Sequence, residues 1–228
     1  YALERIPGGE ADRALVEALG KAAGVVRRGI VFSLGERKTA AAVPTLAGLA
    51  VGKDVALAMD AVKALGKIGG PEAVKVLTAT LGKTGATLKS EAASALLLAA
   101  EGLLAAGDKA SAATVYDKVF AANVSPVVRQ AAFKGKLAAA DDARAMVLRA
   151  LTGKDALLFA PALAAVTANF GEGEISQVGD LMARLPEEAK IQLTGILAGY
   201  PADIVRPYLL SAAENPSDNV RLSALRSI

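Results

Sequence analysis

The chain has 228 residues, of which 53% are hydrophobic and only 4% aromatic; such a length can bury a large core, and small apolar side chains suit close helix packing better than a sheet. It contains no Cys and no His, which excludes disulfides, thiol nucleophiles, imidazole-based zinc sites and any Ser-His-Asp relay. The net charge of +3 comes from 26 basic and 23 acidic residues with interspersed signs, unlike the basic stripe of a nucleic-acid binder.

One pattern repeats along the chain. Tyr1-Ala2-Leu3-Glu4-Arg5 reads as the tail of a helix, because Leu3 stands 31 residues before Leu34. The first full copy is Val26-Arg27, Ile30 and Ser33-Leu34. The next are Leu57-Ala58, Ala61, Ala64-Leu65 and then Leu88-Lys89, Ala92, Ala95-Leu96, each 31 residues further on. Later copies begin at Val128, Leu157, Ala189 and Val220, after steps of 40, 29, 32 and 31 residues. Offsets 0, 4, 7 and 8 lie on one face of an α-helix, so each copy predicts an inner helix, including residues 57–65, 128–135 and 189–197.

A second apolar set comes after each motif, as at Val43 and Leu46, Val74 and Leu77, Val147 and Leu148, and Val205 and Leu209. It predicts an outer partner helix. Pro44 and Pro207 share one repeat position there and predict an early bend. Asp54, Ser125, Asp155 and Ser217 are placed to cap inner helices, and Pro126 and Pro186 suit first turns. Gly35, Gly66, Gly69-Gly70 and Gly171 are read as helix ends. The 40-residue step implies an insertion, read as a long helix from about 86 to 106 followed by a helix through Ala121 capped by Asp108. The most membrane-like run, Ala92 to Ala106, is broken by Glu101 and is shorter than the roughly 20 residues of a span.

The expected fold is all-α, a right-handed α-solenoid of about seven antiparallel helix pairs over residues 1–228 as a single domain. Because Leu3, Ile6, Leu222, Leu225 and Ile228 are ordinary repeat residues rather than polar caps, the expectation is a fragment of a longer chain.

The Val-Arg-x-x-Ala-x-x-Ala-Leu-Gly pattern, present in part as Val26-Arg27 with Leu34-Gly35 and as Ala61, Ala64 and Leu65-Gly66, resembles the bacterial HEAT-repeat (PBS-lyase HEAT-like) family. Glu17-Ala18-Leu19-Gly20, Val31-Phe32-Ser33-Leu34-Gly35-Glu36-Arg37 and Ala42-Val43-Pro44-Thr45-Leu46 look like HEAT segments of large exported multidomain bacterial proteins. So does Ala100-Glu101-Gly102-Leu103-Leu104-Ala105-Ala106-Gly107-Asp108 with Val115-Tyr116 and Val127-Val128-Arg129. The resemblance implies a periplasmic or extracytoplasmic setting and company with catalytic domains that these residues do not contain.

Candidate surfaces are given by the inner-helix register. Offsets 2, 6 and 9 are read as the concave face, which gives Arg28, Phe32, Met59, Lys63, Gln130, Lys134, Phe159, Leu163, Ile191 and Arg226 as the candidate interaction surface. Arg27, Lys89, Arg129, Lys190 and Arg221 share offset 1 and are read as ties to a nearby Asp or helix C-terminus. Asp141-Asp142 and Glu187-Glu188 open helices and do not face each other as an acid–base pair would. Glu172 and Glu174 are too few to predict a cation. Gly69-Gly70 and Gly20 to Gly24 lack the Lys-Ser/Thr of a phosphate loop.

No catalytic residue, cofactor or metal is expected. The function expected is a non-catalytic scaffold that contacts a protein or a neighbouring domain of the same chain. The alternative is a nucleic-acid-binding module of the HEAT-like DNA glycosylase type. Trp is absent and the basic residues are scattered, which argues against it.

Overall fold

The structure, a computed structural model, describes residues 8–83 and 85–228. The helix tail expected at Tyr1–Arg5 lies outside the described residues. Every regular element among the described residues is helical, with no strand. The chain is an all-α helical-repeat solenoid. It divides into two compact units, Tyr1–Ala139 and Ala140–Ile228.

The first unit contains α1 (Gly9–Lys21), α2 (Gly24–Glu36), α3 (Val43–Ala50), α4 (Val55–Ile68), α5 (Gly70–Lys83), α6 (Ala86–Ala105), α7 (Lys109–Ala121) and α8 (Pro126–Ala139). The even-numbered helices carry the repeat motif. They stack in order, α2 on α4, α4 on α6 and α6 on α8, while α3, α5 and α7 pack beside them. Short connections make sequential helices antiparallel neighbours. The apolar motif positions form the seam: Leu34, Ala61, Leu65, Ala92 and Leu96 have no exposed surface. The Asp54 carboxylate accepts the Leu57 N–H at 3.0 Å, and that of Asp108 accepts the Ser111 N–H at 3.0 Å. The long helix expected from the 40-residue step is α6, with 20 residues against 14 in α4.

Gly35 and Gly66 do not end helices. They lie inside α2 and α4, where the next inner helix crosses at close range. A Cβ at Gly35 would stand 2.9 Å from Ala64 Cα, and one at Gly66 would stand 2.9 Å from Ala95 Cα. Their lack of a side chain therefore sets the spacing of the stack. Gly69, at φ 65°, is the residue that ends α4.

The second unit contains α9 (Arg144–Thr152), α10 (Phe159–Ala164), α11 (Val166–Asn169), α12 (Ser176–Gly179), α13 (Glu187–Leu197), α14 (Ala202–Ala213) and α15 (Asp218–Ser227). Motif helices α13 and α15 pack on each other, α14 packs against α15, and α10 packs against α9 and α13. The copy beginning at Leu157 is broken into a 3₁₀ turn over Ala156–Leu158 and the two short helices α10 and α11. Pro161 removes one backbone donor there, and the Asn169 amide donates to the Ala165 carbonyl at the break, 2.7 Å away. Pro44 lies in the first turn of α3, but Pro207 sits in the interior of α14, so their shared repeat position does not give a shared bend. Leu222, Leu225 and Ile228 are exposed.

Candidate functional site

Helices α2, α4 and α6 present equivalent residues side by side and enclose a groove of about 560 Å³. The residues that line it fall at offsets 3, 6 and 10 of the repeat, with Ala64 and Ala95 at offset 7 on its floor and Val25 and Arg28 at one end. Offset 3 gives Gly29, Asp60 and Glu91; offset 6 gives Phe32, Lys63 and Ser94; offset 10 gives Lys67 and Leu98.

Charge runs across the groove in pairs that link one repeat to the next. Arg28 Nε donates to Asp60 at 2.5 Å, and Lys63 lies 3.9 Å from Glu91. Lys67 pairs back to Glu36 and covers the Phe32 ring at 4.6 Å from its centroid. The hydrogen bond from Arg28 to Asp60 raises the pKa of the guanidinium above its ordinary value. The carboxylates sit deeper than their partners: the Asp60 and Glu91 side chains are 23% and 21% exposed, against 51% and 54% for Arg28 and Lys63. Phe32 and Leu98 are exposed beside these cations. The groove thus offers apolar patches between outward-facing ammonium and guanidinium groups.

Of the expected surface residues, Arg28, Phe32 and Lys63 meet in this groove. Met59 is half-buried and does not line it. On α8, Gln130 is half-buried and Lys134 exposed. In the second unit Arg226 is exposed, and Phe159 and Ile191 are half-buried. Leu163 is a correction: it is 2% exposed and belongs to the core. The 3₁₀ turn over Ala156–Leu158 winds more tightly than an α-helix, about 120° per residue against about 100°, so α10 departs from the face that an unbroken helix begun at Leu157 would present. Asp60, Glu91, Lys67, Leu98 and Val25 were missed. Opposite charges one repeat apart, at Arg28 and Asp60 and at Glu36 and Lys67, are the signal in the sequence that points to them.

The offset-1 basic residues have mixed surroundings. Arg221 donates to the Asn215 and Pro216 carbonyls at 2.9 Å each and pairs with Asp218. Arg129 stacks over Phe120 at 4.8 Å. Arg27 Nε is buried without a hydrogen-bond partner among the described residues.

The carboxylates that shift, Asp12, Asp108, Asp142 and Glu187, all shift down because hydrogen bonds favour the ionised form. That is the direction of structural ties, opposite to that of a general acid. Arg144 binds Asp142 and reaches Glu174 at 3.0 Å, so Glu174 is engaged in the fold. Among the described residues no group of three or more acidic side chains could hold a metal ion. No described helix is long and apolar enough to cross a membrane.

The stacked helices and the groove across α2, α4 and α6 define a helical-repeat protein. The family model for HEAT repeats matches residues 13–97, which span most of α1 through the middle of α6 and include nearly all of the groove. HEAT repeats generally act as protein-interaction scaffolds. No curated protein matches the chain.

Proposed function

We propose that this chain is a non-catalytic scaffold within a larger exported protein, and that it holds a protein or a neighbouring domain against the face formed by α2, α4 and α6. The observation that carries this reading is the groove itself, in which Phe32 and Leu98 lie exposed beside Arg28 and Lys63. Aromatic and Arg side chains flanked by polar groups are what protein interfaces favour. The expected concave face is part of the same proposal, as is a single stack over both units. The nucleic-acid alternative is disfavoured by the pairing of Arg28, Lys63 and Lys67 with Asp60, Glu91 and Glu36, since neutralised cations release few counterions from phosphate. Titration with mixed-sequence single-stranded DNA tests this. No saturable binding is expected at about 0.15 M salt. Tight binding with a steep log-linear salt slope, lost in Lys63→Glu, would put the alternative in its place.

A further inference from the structure

The insertion that lengthens α6 leaves a second groove, on the outer side of the first unit. Consecutive outer helices α3 and α5 pack on each other, whereas α5 and α7 both pack on α6 and make little contact with one another. Between them is a slot of about 490 Å³. Its floor and walls are Val74 and Thr78 from α5, Leu103 from α6, and Thr114 and Val115 from α7.

Most polar groups of the slot are already satisfied. The Thr78 hydroxyl donates to the Val74 carbonyl at 2.8 Å and that of Thr114 to the Ala110 carbonyl at 3.0 Å. The two threonines therefore spend their hydroxyls on their own helices. Asp108 is held by the backbone N–H and side chain of Ser111, which keep its carboxyl below the usual range. Two cations remain, Lys75 on α5 and Lys118 on α7. Both are exposed, and neither has a hydrogen bond or ion pair among the described residues. The slot is an apolar trough with one unpaired ammonium group on each wall, and the Asp108 carboxylate, held by Ser111, stands at the start of the α7 wall.

We infer that this slot binds an amphipathic helix of a partner protein, three apolar side chains deep in the trough and acidic residues on its flanks facing Lys75 and Lys118. The walls run from Pro71 to Ala79 and from Asp108 to Lys118, about 12–15 Å at 1.5 Å per residue, which matches two to three turns of helix. An extended peptide has no strand edge to join here, because the walls are helices whose backbone groups are bonded within themselves. The acidic flanks are dictated by charge: an incoming carboxylate meets an ammonium group with no ion pair to displace.

The test uses the full chain and two fluorescein-labelled helical peptides of about sixteen residues. Both carry Leu at i, i+4 and i+7; one is flanked by Glu and the other by Lys. The Glu peptide is expected to bind with about tenfold preference. Lys75→Glu combined with Lys118→Glu, at exposed positions, should reverse that preference. Ala79→Phe, which fills the trough, should abolish binding of both peptides while the helical circular dichroism stays unchanged. Equal affinity for the two peptides overturns the inference, as does no saturation by about 1 mM, binding that survives Ala79→Phe, or displacement of the peptide by dodecanoate at equal concentration.

Discussion

Single residues set the spacing and the ties of this stack. Gly66 meets the backbone of α6 where a Cβ would lie 2.9 Å from the Ala95 carbonyl oxygen as well as its Cα. Backbone cannot move aside as a flexible side chain can, so Gly66→Ala is expected to destabilise by about 1–3 kcal/mol. Gly102, inside α6, has open space at the same point, and Gly102→Ala should stabilise by about 0.5–1 kcal/mol; urea unfolding of the two variants gives opposite signs if the account holds. A tie that was not visible in the sequence joins Asp12 to Arg37 at 2.6 Å and to Thr39 at 2.8 Å. These hydrogen bonds, led by Arg37, hold the Asp12 carboxyl below its ordinary value. A depressed native pKa contributes stability above the unfolded value of about 3.9, and that contribution is lost as the pH falls through the lower native value. Stability measured from pH 6 down to pH 2, roughly the carboxylate range, should therefore fall more steeply in the parent than in Asp12→Asn. Parallel curves would show that the tie carries no linkage. Asp12 and Arg37 stand 25 positions apart, off the repeat period, and no periodic reading reaches them.

At the scale of elements, the period was legible because burial imposes it. Leu65, Leu96 and Leu197 all have no exposed surface, as the 0, 4, 7, 8 face requires. Leu65→Ala or Leu96→Ala should cost about 2–5 kcal/mol, and hydrogen exchange should show the loss in adjacent helices rather than throughout the chain, since each repeat rests on its neighbours. Uniform acceleration of exchange along the chain would contradict this. The register of the open face was less legible. Its stripe at offsets 3, 6 and 10 differs from the expected 2, 6 and 9 because offset 9, Gly35 and Gly66, is taken up by the close crossing of inner helices. The short helices α10, α11 and α12 were not legible at all: the apolar spacing at Leu157 and Ala164 continues through the break, while proline and the local amide bond decide the backbone. With four to six residues each, these helices should exchange their amides faster than α4 and α6.

At the scale of the molecule, repetition converts equivalent positions into rows. A row of cations, carboxylates and apolar side chains across α2, α4 and α6 exists because the repeat brings Phe32, Lys63 and Ser94, or Asp60 and Glu91, to the same face of successive helices. The sequence carried the fold class clearly, because seven copies of one pattern average out local ambiguity. It carried only the smaller part of the groove, Arg28, Phe32 and Lys63, because the groove also depends on which residues pair between repeats. The face formed by α2, α4 and α6 is proposed to dock protein. Site-specific photocrosslinking in the intact natural polypeptide, with a photoreactive phenylalanine analogue at Phe32 and a control at Thr45, exposed on α3, tests it most directly. A protein or intramolecular domain adduct is expected at position 32, weakened by Lys63→Glu and absent at position 45. Nucleic-acid adducts at position 32, or protein adducts at position 45 alone, would contradict it.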